Sequence, residues 1–130
     1  VAGVPTRAQE EGAGFKAMKG RTTFRLYCAS CHGRDGEGDG NVAQFLTVPP
    51  ADLTRIEMRH GEWPDETLRE IIDGRQAVKG HGNREMPIWG DVFQSPWGDE
   101  TPVEGEEGEE RARRKIDELV VFLKTIQVAE

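Results

Sequence analysis

Apolar residues recur at helical steps in three places along the chain. In the first, Phe24, Tyr27, Cys28 and Cys31 fall at three- and four-residue intervals. A helix is therefore expected from near Arg21, with Thr22 or Thr23 as its cap and Gly33 as its stop. In the second, Leu68, Ile71 and Ile72 make one face of the segment 64–73, PDETLREIID. There Pro64 presets the first turn, Asp65 and Glu66 sit at the positive end of the helix dipole, and Gly74 ends the helix. The third is the clearest: Ile116, Leu119, Val120, Leu123 and Ile126 recur near the end of the chain. Arg111, Arg113, Arg114 and Lys115 open that helix at the end where the dipole disfavours cations, and the acids just upstream are expected to offset them.

The stretches between read as loops. The run GRDGEGDGN is glycine and acid, and 45–53 (FLTVPPADL) holds two prolines, which makes it extended and irregular. Residues 75–103 are rich in Gly, Pro and Trp; 99–110 carry seven carboxylates and read as a solvated, acid-rich insertion leading into the last helix. Residues 1–19, VAGVPTRAQEEGAGFKAMK, show no clear period. They are expected to form an extended arm that Phe15 and Met18 tack onto the body. No strand-like alternation and no repeat appears. The expected class is all-α, three to five helices with long loops, with residues 20–130 as one domain behind the 1–19 arm.

A chain of 130 residues fits one domain, and one of that size buries only roughly 60–70% of its unfolded surface. With 35% of residues apolar, 32% charged and 16 glycines, its core is thin. A buried cofactor would supply the missing apolar volume. The net charge of -7 argues against nucleic acid and anionic lipid, and suits either simple solubility or a partner bearing a basic patch. The apolar run 119–123 is far too short to span a bilayer. Val1 opens no leader-like segment, which leaves a processed N-terminus and a segment cut from a longer protein as alternatives.

The two cysteines are separated by two residues and followed by histidine: Cys28-Ala29-Ser30-Cys31-His32, a C-x-x-C-H haem-attachment pattern. Two thiols on one helical turn can each form a thioether to the same porphyrin edge, and the next imidazole then lies beneath the ring. Zinc would need two more ligands, and His60 and His81 are not spaced as a compact pair. A thiol–disulfide site would need a strand before the motif and a βαβ setting, and neither is present. Asp35 and Glu37 could suggest acid–base catalysis, but a glycine-rich loop offers no burial, and they read as solvated turn residues.

Taken in order, the helix ending in CASCHGRDGEGDG, then PPADLT, PDETLREIIDG, EMPIWG and IDELVVFLKTI, give the stretch 20–126 a close likeness: it resembles a class I bacterial cytochrome c. The first nineteen residues and 99–110 fall outside the resemblance. It implies a small cytochrome c fold wrapped around one covalently bound haem c. It makes His32 and Met86 the axial metal ligands, Met86 a soft thioether that suits an electron carrier, on a loop stiffened by Pro87. Met18, Met58, His60 and His81 are the rival ligands. It places beside His32 a proline carbonyl, at Pro49 or Pro50 with Pro50 preferred, to accept the proton of the other ring nitrogen. Gly20, Phe24 and Phe122 match the family's close helix crossing.

Leu53, Leu68, Ile72 and Ile88 are expected to line the haem, with Trp89 touching it because it lies near Met86. Trp63, Trp97, Arg55, Arg59 and Arg84 are further candidates for the propionates. The function so implied is a single-electron carrier between redox protein partners, not an enzyme, with no small-molecule substrate. Its compartment would be periplasmic or otherwise extracytoplasmic, with a membrane tether in a longer precursor as an option. A domain or subunit of a larger membrane-bound redox complex, such as a terminal oxidase or a dehydrogenase, is the alternative. A haem sensor or peroxidase with an open axial position is the more distant one.

Overall fold

A computed structural model of the chain describes residues 3–76, 85–96 and 103–128. The described residues are all-helical: α1 (Arg7–Tyr27), α2 (Ala29–His32), α3 (Ile56–His60), α4 (Asp65–Asp73), α5 (Trp89–Val92) and α6 (Gly108–Thr125). Three are long; α2, α3 and α5 are single turns, so the count exceeds the expected three to five only by such turns. Two 3₁₀ turns, Ala43–Phe45 and Leu53–Arg55, punctuate the loops.

The frame is the pair α1 and α6. Phe24 and Phe122 meet at 5.3 Å between ring centroids. Gly20 permits that approach, since a Cβ there would overlap the Glu118 carbonyl and lie 2.8 Å from the Phe122 Cβ. Ala112, Ile116, Leu119, Val120 and Leu123 turn inward from α6 and are almost fully buried. Asp117 on the same helix binds Lys16 of α1 at 2.9 Å and Arg69 of α4 at 2.8 Å, which fixes three helices together. In α4, Leu68 and Ile72 face the core, Ile71 is half-buried, and Gly74 closes the helix at φ 71°.

Three expectations are corrected. The 1–19 segment is not an extended arm: helix begins at Arg7, nucleated by a capping box in which Thr6 accepts from the Gln9 N–H and Gln9 answers to the Thr6 N–H. Residues 7–16 are exposed on every side, which is why no apolar period announced them. Phe15 and Met18 do not tack this segment down, being 56% and 58% exposed; Lys16 and Lys19 do, through Asp117 and Glu118. Thr22 caps nothing and instead donates back to the Met18 carbonyl.

Secondly, 75–103 is not loop throughout, since α5 lies within it. Thirdly, the acidic stretch before α6 is not simply solvated. Glu106 is buried between Arg111 and Arg114, and Glu109 pairs with Arg113 and Arg75. These contacts supply the compensation that the basic start of α6 requires. Residues 99–102 of the insertion lie outside the described residues.

Candidate functional site

Helix α1 stops at Cys28, and α2 follows as one further turn closed by Gly33 at φ 85°. The Cys31 and His32 N–H groups both donate to the Cys28 carbonyl, at 3.2 and 2.9 Å. The two thiols therefore stand a turn apart, Cys28 buried and Cys31 half-buried, both free. Burial, and after it the neighbouring Cys31, push the Cys28 thiol up to about 12. A thiol–disulfide nucleophile needs the opposite shift.

The glycine-rich loop wraps back over this turn. Gly38, Gly40 and Val42 donate their N–H groups to the carbonyls of His32, Cys31 and Ser30, at 2.7, 3.1 and 2.8 Å. These are the orphan acceptors at the end of a helix. Gly40 is required for the approach, because a Cβ there would overlap the Ser30 carbonyl. Asp35 and Glu37 point to solvent, as expected.

The His32 Nδ1–H donates to the carbonyl of Ala51 at 3.0 Å. The acceptor is thus neither Pro49 nor Pro50. The Pro50 carbonyl is turned towards Gly38, where a Cβ would lie 2.8 Å from it, and the next carbonyl along the extended segment meets the ring. Ala51 is held in turn: Leu53 N–H donates to the Gly36 carbonyl at 2.6 Å, and Asp52 caps the Thr54 N–H at 2.9 Å. Desolvation lowers the His32 pKa below its usual value, partly opposed by the bond to Ala51. Because the Ala51 carbonyl can only accept, Nδ1 carries a proton, and Nε2 is the ring nitrogen left to bind a metal.

Leu68, Ile72 and Trp89 are buried in one core with Cys28, and Leu53 and Met86 pack half-buried against it. Ile88 is 43% exposed and lies outside that core. Pro49 is exposed and Pro50 half-buried. The Val48 N–H donates to Glu85 Oε1 at 3.0 Å, which ties the Met86 loop to the segment carrying Ala51.

Among the rival ligands, Met18 and Met58 are exposed, His60 is exposed at the end of α3, and His81 lies outside the described residues. Trp63 is half-buried against the core. Arg55 and Arg59 engage Asp52, through its carboxylate at 3.4 Å and its carbonyl at 2.8 Å. Trp97 and Arg84 lie outside the described residues. Among the described residues no three His, Cys, Asp or Glu side chains gather as a metal-binding group.

Two features escaped the reading of the sequence. One is the Ala51 carbonyl, a backbone group with no side-chain signature. The other is an aromatic cluster, Tyr27 with Trp89 and Phe93, beneath the buried Lys115. Its signal was present: Arg111, Lys115, Leu119 and Leu123 share a four-residue step, which places both cations on the inward face of α6.

Residues 15–96, well over half of the chain, match the family described as cytochrome c oxidase, cbb3-type, subunit III, a family of c-type cytochrome domains. The chain belongs to this family. It is a class I-like c-type cytochrome, and membership carries haem-based electron transfer with haem c as cofactor. Neither the curated proteins nor the solved structures compared with it gave a match. The cytochrome's own residues fit the group: an imidazole with Nδ1 committed to Ala51 and Nε2 uncommitted, two thiols one turn apart, and Leu68, Ile72 and Trp89 buried in one core with Cys28. Among the described residues no helix is long and apolar enough to cross a membrane.

Proposed function

We propose that this cytochrome binds one haem c covalently through Cys28 and Cys31, with His32 and Met86 as axial ligands, and works as a single-electron carrier. The observation that carries the reading is the His32–Ala51 hydrogen bond, which commits Nδ1 and leaves Nε2 for iron. When bound, the haem supplies an iron that accepts and returns one electron without exchanging its ligands. The chain's residues set the conditions. Nδ1–H donation to Ala51 orients the imidazole and raises its basicity. The Met86 thioether favours reduced iron. Leu68, Ile72 and Trp89, buried in one core with Cys28 and with Leu53 packed against them, would keep water from the group. Partners are redox proteins that dock briefly through a small interface, with basic groups facing this acidic surface. The chain transforms no substrate of its own, and its compartment is extracytoplasmic.

The test is spectroscopic. The oxidised protein should show the weak far-red charge-transfer band of methionine-ligated ferric haem, and the reduced protein should not bind carbon monoxide at neutral pH. Met86→Ala should abolish the band and admit carbon monoxide. A band that survives Met86→Ala would assign the ligand to another residue. Free carbon monoxide binding by the unaltered protein would favour the sensor or peroxidase reading.

The family match supports a second reading, in which the same haem domain serves inside a membrane-bound terminal oxidase. Solubilised membranes from the source cells should then yield this polypeptide in a high-mass complex with oxidase activity; recovery only as a free small protein would leave the carrier reading.

A further inference from the structure

Lys115 is 5% exposed, on the face of α6 that packs into the protein. An ammonium so placed is costly unless its surroundings compensate it. Its Nζ lies 5.6 Å from the Phe93 ring centroid and 6.0 Å from that of Tyr27, within reach of the negative ring faces. Glu118, one turn along α6, is its acidic neighbour, and itself binds Arg114 at 3.3 Å and Lys19 at 3.7 Å. The two rings pack edge-on at 5.5 Å, and both meet Trp89: Tyr27 edge-on at 5.7 Å, Phe93 stacked at 5.2 Å.

The positions of these residues in the chain give the cluster its interest. Tyr27 directly precedes Cys28, and Trp89 follows Met86 by three residues. Trp89 and Phe93 belong to α5 and its cap, a single turn that cannot hold its place by its own hydrogen bonds. Lys115 stands where the end of α1, the turn leading from Met86 and the inner face of α6 converge. Arg111, one turn before it on α6, reinforces the junction by donating to the Gln94 carbonyl.

We propose that Lys115 is a positioning residue for Met86: its ammonium, held against Phe93 and Tyr27, locks α5 onto the start of the haem-attachment motif and limits how often the methionine leaves the metal. The inference rests on the His32/Met86 reading above. It concerns one local opening at α5 rather than global unfolding.

The holoprotein tests it in two ways: by titrating the oxidised form with imidazole, which competes for the Met86 position, and by amide exchange across residues 86–94. Lys115→Met keeps the length and removes the charge. It should bind imidazole about tenfold more tightly and exchange faster in that segment by a similar factor. Lys115→Arg keeps the cation and should stay within about twofold of the unaltered protein. Asp117→Asn, which removes ion pairs away from the cluster, should do the same.

If Lys115→Met fails to fold, Phe93→Leu removes a ring beneath the ammonium and carries the same expectation. Unchanged imidazole affinity and exchange in the charge or ring variant would overturn the proposal. So would equal loosening by Asp117→Asn. If the unaltered protein bound imidazole as tightly as Met86→Ala, the His32/Met86 reading would be at fault instead, and amide exchange would still decide whether Lys115 holds α5.

Discussion

The Nδ1–H of His32 donates to the Ala51 carbonyl across 3.0 Å, so the end of the cysteine turn and the segment after the two prolines share one bond. Everything that holds Ala51 therefore holds the imidazole. Gly38 lies behind it at φ 88°, with its own N–H on the His32 carbonyl and the Pro50 carbonyl close by.

Gly38→Ala would place a Cβ 2.8 Å from the Pro50 carbonyl in a backbone region that disfavours side chains. A loss of about 1–3 kcal/mol is expected in denaturant unfolding. A variant as stable as the parent would show that this loop does not brace the Ala51 segment.

The glycines of α1 should behave oppositely to one another. Gly20→Ala drives a Cβ into the Glu118 carbonyl and against Phe122, and should cost about 2–3 kcal/mol or more despite alanine's better helix propensity. Gly12→Ala and Gly14→Ala meet nothing within 4 Å and should each gain about 0.5–1 kcal/mol. Thermal unfolding followed by circular dichroism reads both signs. If all three substitutions stabilised, the α1–α6 crossing would be wrongly placed.

Acid should reveal the ion pairs at Asp117. Partial burial pushes its carboxyl up, but Lys16 and Arg69 outweigh that and leave it below the usual carboxylate value. A carboxylate depressed in the folded state adds stability that is complete above its unfolded pKa of about 4 and is lost as pH falls through the folded value. Asp117→Asn should cost about 0.5–1 kcal/mol at neutral pH, and that difference should vanish by about pH 2. A difference that persisted in acid would mean that packing, not charge, is lost.

Much of this architecture was legible from periodicity. The helix at 64–73 and the terminal helix carry apolar stripes that only a buried face requires, and Gly33 and Gly74 mark the stops of the cysteine turn and of α4 as positive-φ caps. The Gly20–Phe24–Phe122 crossing was expected from the resemblance to the cytochrome c family, and the rings do meet there. The start of α1 was not. Its residues 7–16 pack against almost nothing, so no stripe exists, and only the Thr6–Gln9 box at capping distance announced it.

Within the site, side chains were readable and backbone was not. Cys28, Cys31 and His32 stood out by residue type and spacing, whereas any residue type can offer the carbonyl that Ala51 offers. Lys115 was expected to be offset by acids upstream, whereas it lies buried against the Phe93 and Tyr27 rings.

The most direct test is of attachment itself. The purified protein is denatured in acid, extracted with organic solvent and weighed intact by mass spectrometry. The pigment should stay with the polypeptide at one haem per chain, and Cys28→Ala with Cys31→Ala should release it. Pigment that passes into the solvent from the unaltered protein, or a chain that never carries it, would contradict the account.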